Sequence, residues 1–195
     1  MSSAALAHIS LDQYLADEEA SLDKHEWLDG VVVAMAGGTP EHALLKTNVT
    51  VSVASALRGK PCRVFDADLR VRCPSRLLTY PDLSVVCGPF VRDRSDKNAA
   101  TNPTVLFEVL SPSTAAYDRG EKFDHYMTIP SLLVYVLVDH ARPRIDVFTR
   151  VDEETWMLRR YGPGRRIELP FIDATITVDD VYEGWAELRE ELSGE

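Results

Sequence analysis

The feature that most constrains this chain is a trio of apolar segments, Tyr80–Cys87, Thr104–Leu110 and Leu132–Val138. A strand with one wet face alternates apolar and polar residues; these three are apolar on both faces, as strands in the middle of a covered sheet are. Between the last two, Ser113–Met127 reads as a helix, so a β-α-β crossover joining parallel strands is expected. With 195 residues, 45% of them hydrophobic, the chain has material for one packed core. The expected architecture is α/β, a mixed β-sheet flanked by helices, built as one unit over residues 1–195.

The flanks fit that frame. Ser10 and Gln13 resemble a capping box that opens a helix through Ala20. Val31–Met35 is a β-branched strand ended by the turn Gly37-Gly38-Thr39-Pro40. From Glu41 to Leu57, Ala43, Leu44, Thr47, Val51 and Ala54 recur at helical spacing, with Gly59 as the expected C-cap. Phe65–Arg72 alternates like a single strand with one polar face. Arg70 and Arg72 on that face are available to a phosphate, or simply meet solvent. Arg144–Thr149 and Thr155–Tyr161 form a hairpin, and Asp179 or Asp180 caps an acidic helix ending near Leu192.

Charge and cysteine content bound the function. The net charge is −10, which disfavours indiscriminate contact with nucleic acid or an anionic membrane. The distribution is uneven: residues 1–30 carry a balance of −6 and residues 152–195 one of −7, while 31–151 come out at +3. A mildly basic centre thus lies between acidic ends, and it keeps a phosphate-bearing partner possible. The longest apolar run, Leu132–Val138, is too short to span a bilayer. No basic stretch precedes an apolar one near the start, so a cytoplasmic protein is expected. Three cysteines without a CxxC pair point away from a disulfide framework or thiolate zinc site.

Two isolated carboxylates carry the chemistry. Asp82 is the only charged residue between Arg76 and Arg92, and Glu108 the only one between Lys97 and Asp118. A lone ionised carboxylate in an apolar strand costs several kcal/mol unless it is paired or bound to a metal. It can instead reach solvent at a strand end or meet an arginine. Two of them on neighbouring strands can share one divalent ion, and hard oxygen donors suit Mg²⁺ or Mn²⁺. No phosphate-loop, GxSxG or zinc-deaminase signature competes with this reading.

Pro81-Asp82 followed by Glu108-Val109-Leu110 resembles the core motif of the PD-(D/E)XK nucleases. The resemblance widens through Glu26-Trp27-Leu28-Asp29-Gly30, Met35, Pro40, His42 and Tyr80-Pro81-Asp82-Leu83. It continues through Glu108–Thr114, Asp118-Arg119, Lys122, Tyr126 and Val138-Asp139. Over nearly its whole length the sequence resembles the Uma-type family of restriction endonucleases. That resemblance implies a restriction-endonuclease-like sheet and a Mg²⁺-dependent phosphodiesterase acting on DNA, with Asp82 and Glu108 as metal ligands.

The motif's lysine position is Leu110, and the resemblance implies that Lys122 on the following helix takes over. The alternative for Lys122 is a surface pair with Asp118 at i, i+4. Glu26 matches the family's N-terminal acid and would complete the metal site or hold a second ion, or else is a strand-edge surface residue. His42 is a substrate-binding position or a helix-start polar residue. Tyr126, one turn after Lys122, packs in the core or lines the substrate wall. Met at position 122 is expected to spare the fold while lowering cleavage. A homodimer is expected, because cutting both strands of a duplex takes two sites. The competing functions are a binding or regulatory protein on the same fold, and a hydrolase of small phosphoesters.

Overall fold

The computed structural model describes residues 8–35 and 37–194, so the ends of the expected 1–195 unit lie outside it. The chain opens with α1 (Leu11–Ala20), β1 (His25–Leu28), β2 (Val31–Ala34) and α2 (Pro40–Ala56). Then follow β3 (Cys62–Asp66), β4 (Arg70–Arg72), β5 (Leu77–Thr79), β6 (Leu83–Cys87), β7 (Ala99–Ala100) and β8 (Val105–Val109). Next are α3 (Ala115–Arg119), α4 (Glu121–Met127), β9 (Val134–Val138), β10 (Ile145–Arg150) and β11 (Trp156–Tyr161). The chain closes with β12 (Arg166–Leu169), β13 (Ala174–Thr177), α5 (Val178–Val181) and α6 (Trp185–Ser193).

Six strands form the central sheet in the order β11-β10-β9-β8-β6-β3. Only β8 and β9 run parallel in it, joined through α3 and α4, as the crossover predicts. Its two faces build two cores. Val105, Phe107 and Val109 of β8 join Val134, Val136 and Val138 of β9 against Leu45, Val49 and Val53 of α2. The residues between them, Leu106, Tyr135 and Leu137, face Phe123 and Tyr126 of α4. Glu108 lies in this second set by strand alternation, which aims it at α4 rather than α2. A five-stranded sheet, β2-β1-β5-β4-β7, shares the second core through Val71 and Leu77, and α1 packs on it through Tyr14 against Trp27. The β12–β13 pair with α5 and Trp185 completes the cover over the α2 side. Among the described residues no helix is long and apolar enough to cross a membrane.

Several local expectations are corrected. Phe65–Arg72 is not one strand: Asp66 accepts from the Asp68 amide, the chain turns, and the two halves join different sheets. Arg70 is therefore buried, held by Asp96 and the Tyr80 hydroxyl, and neither meets solvent nor is free for a phosphate. Arg72 is half-buried, its guanidinium 5.0 Å from the Trp27 ring centroid. The buried face of α2 is Leu45-Val49-Val53, whereas Val51 is exposed; a helix this apolar offers more than one stripe. Leu57, not Gly59, is its C-cap. The expected helix Ser113–Met127 breaks at Gly120, whose backbone (φ −118°, ψ −102°) is not helical. Thr177 rather than Asp179 or Asp180 caps the closing segment, and that helix splits into α5 and α6 at Gly184, φ +72°.

The cysteine expectation also fails. Cys62 and Cys87 are direct register partners across β3 and β6 and form a disulfide, leaving Cys73 as the buried free thiol.

Candidate active site

Asp82 sits at the entry to β6 and Glu108 near the exit of β8. Because these strands are antiparallel neighbours, entry and exit lie at the same end of the sheet. The backbone welds the two together: the Val109 amide donates to Asp82 Oδ2 at 2.8 Å, and the Asp82 amide faces Glu108 Oε2 at 3.4 Å. Asp82 Oδ2 also has His42 Nε2 at 3.4 Å, and Lys46 Nζ is 3.9 Å from Oδ1; both come from the first turns of α2. Burial alone would raise the Asp82 carboxyl, but His42, the Val109 amide and Lys46 together hold it below its ordinary value.

Glu108 has the opposite environment. The Tyr126 hydroxyl donates to its Oε1 at 2.7 Å, and Lys122 Nζ stands 2.9 Å from the same oxygen. Burial pushes its pKa up to about 8, Asp118 and Asp82 adding to the rise against Lys122 and Tyr126. Lys122 is buried and reaches 3.0 Å from Glu26 Oε1 and 3.7 Å from Asp118 Oδ1 as well. Burial would lower its ammonium, yet Glu108, Glu26 and Asp118 outweigh burial and hold it well above its ordinary value. Lys122 is thus no surface pair with Asp118. It points at Glu108 from across the break at Gly120, on the first turn of α4.

Glu26 is buried, not a surface residue, and its contacts serve Lys122 rather than the Asp82–Glu108 pair. Oε1 takes the Thr79 hydroxyl and Lys122, and Oε2 takes the Tyr117 hydroxyl at 3.1 Å. Both Glu26 oxygens are thus engaged, by Lys122, Thr79 and Tyr117. The structure therefore brings Asp82, Glu108, Lys122, Tyr126, His42 and Glu26 together and leaves Arg70 and Arg72 elsewhere. Sequence reading missed Lys46, one helical turn after His42, and that spacing was a usable signal. It also missed Thr79 and Tyr117, for which no local pattern exists.

The donor set fits a small hard cation. Glu26, Glu108 and Asp118 surround a single ammonium, so this buried pocket holds more carboxyl groups than cations. Asp82 Oδ1 and Glu108 Oε2 are the oxygens least engaged by other groups. Among the described residues no three His, Cys, Asp or Glu side chains converge as a ready cage. An ion here would therefore take its remaining ligands from water and substrate, as Mg²⁺ commonly does.

Comparison with known proteins agrees with this architecture. A crystal structure of a "putative nuclease belonging to DUF820" from Anabaena variabilis ATCC 29413 superposes with a TM-score of 0.72. It shares 17% identity over 91% of this chain and 98% of that one, which is a likeness of fold. Two Synechocystis sp. (strain ATCC 27184 / PCC 6803 / Kazusa) proteins are nearer in sequence. Uncharacterized protein slr1290 is 37% identical over 94% of this chain and 96% of its own length. Uncharacterized protein sll1609 is 32% identical over 82% and 92% respectively. The model of the Uma2 family, described as "Putative restriction endonuclease", matches residues 11–179. On that match and those relatives, the chain belongs to the Uma2 family.

Proposed function

We propose that this protein is a Mg²⁺-dependent endonuclease that hydrolyses phosphodiester bonds in DNA. The observation that carries the reading is the meeting of Asp82 and Glu108 at one end of adjacent strands, with the Lys122 ammonium 2.9 Å from Glu108. Asp82 and Glu108 would hold the ion, Mg²⁺ or Mn²⁺. When bound, such an ion lowers the pKa of the attacking water and offsets charge on the phosphoryl oxygens.

The remaining work falls to side chains. Lys122, kept charged by its carboxylates, supplies positive charge beside the reacting phosphate, the part left vacant by Leu110. Leu110 itself is buried in the second core and serves packing. Glu26, Thr79 and Tyr117 fix Lys122 in position, and the Tyr126 hydroxyl fixes Glu108. His42 keeps Asp82 ionised, and Lys46, the most exposed member, is placed to meet a phosphate oxygen. The protein would act in the cytoplasm as a homodimer, one site for each strand of the duplex.

The test is cleavage of supercoiled plasmid with Mg²⁺, with Mn²⁺ and with chelator. Metal-dependent cleavage by the wild type, lost in Asp82→Asn and Glu108→Gln, is the expected result. A wild type inert on duplex and single strands with both metals would overturn it in favour of a binding protein on this fold. Metal-dependent hydrolysis confined to small phosphodiesters would make the protein a small-substrate hydrolase.

A further inference from the structure

A second ion cluster lies at the same sheet end, and its charge surplus has the opposite sign. Strand register places Glu108, Leu137, Asp146 and Arg160 in one row across β8, β9, β10 and β11, on the face that carries the candidate site. Asp146 is 1% exposed. Arg119 at the end of α3 donates to its Oδ2 at 2.6 Å, while Arg160 and Arg144 stand 3.4 and 3.5 Å from its Oδ1. In the turn between β9 and β10, Asp139 meets Arg144 at 3.0 Å and Arg142 at 3.4 Å. Four guanidinium groups thus surround two carboxylates, in a chain whose net charge is −10.

A structural ion pair requires one guanidinium for each acid. Here two buried acids tether twice that number, and the side chains of Arg142 and Arg160 remain 65% and 63% exposed. Neighbouring strands are ~4.8 Å apart, which puts the Asp146 strand roughly 10 Å and the Arg160 strand roughly 14 Å from that of Glu108. One strand of duplex DNA rises ~3.4 Å along the helix axis per phosphate and its winding backbone path is longer, so this distance covers at most about four nucleotides.

We infer that Arg119, Arg142, Arg144 and Arg160 form a ledge that binds the phosphate backbone flanking the scissile bond, and that the substrate is a polynucleotide extending a few nucleotides beyond it. The inference rests on the nuclease reading for the position of the scissile phosphate. The ledge itself is tested by binding. Arginine suits it, because a planar fork meets two phosphate oxygens at once. Asp146 and Asp139 set the height of the guanidinium groups and offset only half of their charge.

The experiment is fluorescence anisotropy of a labelled 20-base-pair duplex in chelator, titrated with the full chain at several salt concentrations. Arg142→Ala with Arg160→Ala should weaken binding about tenfold or more and reduce the slope of log affinity against log salt by about 2. Arg159→Ala is the control, because it removes one arginine charge from the opposite face of β11, and it should change neither quantity. A double variant that binds as tightly as wild type, with the same slope, overturns the ledge. So does half that loss or more in Arg159→Ala, which would reduce the effect to net charge, or a wild type that does not bind. Cleavage with unaltered binding in the double variant would remove the ledge and leave the nuclease reading standing. Arginine-dependent binding by a wild type that cuts nothing would do the reverse.

Discussion

The two ion clusters at the exit of β8 and β9 are built from the same kinds of residue in inverse proportion. Around Lys122, three carboxylates enclose one cation, all of them buried. Around Asp146 and Asp139, four arginines enclose two anions, and the arginines reach water. On the readings proposed above, the surplus of carboxylates suits a divalent cation and the surplus of arginines suits phosphate. The difference in burial sets the cost of disturbing each. Removing the partner of a buried charge leaves it uncompensated, whereas a charge at the surface is compensated by solvent.

The sharpest test of that contrast is Lys122→Met. The sequence predicts that the variant keeps its fold, but in the structure it would leave three buried carboxyl groups without their shared cation. Urea denaturation should register a loss of about 3–5 kcal/mol at pH 8, as for other broken buried pairs. Part of this should return at pH 5, where the carboxylates protonate. An unchanged urea midpoint at pH 8 would mean that water already solvates the pocket.

Next in size is Glu108→Gln, which should stabilise the protein. The folded pKa of Glu108, about 8, lies above its unfolded value, so the fold prefers the neutral acid. That preference contributes fully below the unfolded pKa and is lost as pH rises toward 8. The thermal midpoint of the variant should therefore pull ahead of wild type by roughly 2–4 °C, the gap widening from pH 5 to pH 8. Millimolar Mg²⁺ should raise the midpoint of the wild type and leave Glu108→Gln unmoved. A gap of the same size at both pH values would contradict the raised pKa.

Asp146→Asn comes third. It removes the anchor of the ledge, yet arginines that reach solvent recover hydration, so the expected loss is about 1 kcal/mol in the same urea assay. A loss equal to that of Lys122→Met would erase the distinction between the two clusters. The smallest effect belongs to Arg142→Ala, within about 0.5 kcal/mol of wild type by the same measurement.

Much of the central sheet is legible in the sequence, because β6, β8 and β9 bury both faces and leave few alternatives. Asp82 and Glu108 are legible for the same reason: an acid in an apolar strand stands out. Helix breaks are less so. Gly120 sits inside a run with helical spacing, and nothing local says that Lys122 begins a new helix. Arg70 and Arg72 alternate with apolar residues as a surface strand would, and only the turn at Asp66–Leu69 and the distant Asp96 bury Arg70. The Cys62–Cys87 contact depends on β3 lying beside β6, a non-local pairing that cysteine spacing does not encode. Tyr117 and Thr79 reach Glu26 through tertiary structure alone.

The residues Tyr80-Pro81-Asp82 carry the chain from β5, in the five-stranded sheet, into β6 of the central one. Glu26 and Thr79 belong to the first sheet, and Glu108 to the second. The pocket is therefore a seam between two hydrogen-bonded layers, and its geometry lasts only as long as they stay in register with each other. The two layers share the core of Val71, Leu77, Leu106 and Leu137, so parting them on warming would expose that core as well as the seam. Asp82 and Glu108 then remain together, while Lys122 loses the anchor supplied by Glu26. The proposed cleavage should therefore be lost on warming at or below the temperature at which the amides of β8 and β9 begin to exchange with solvent.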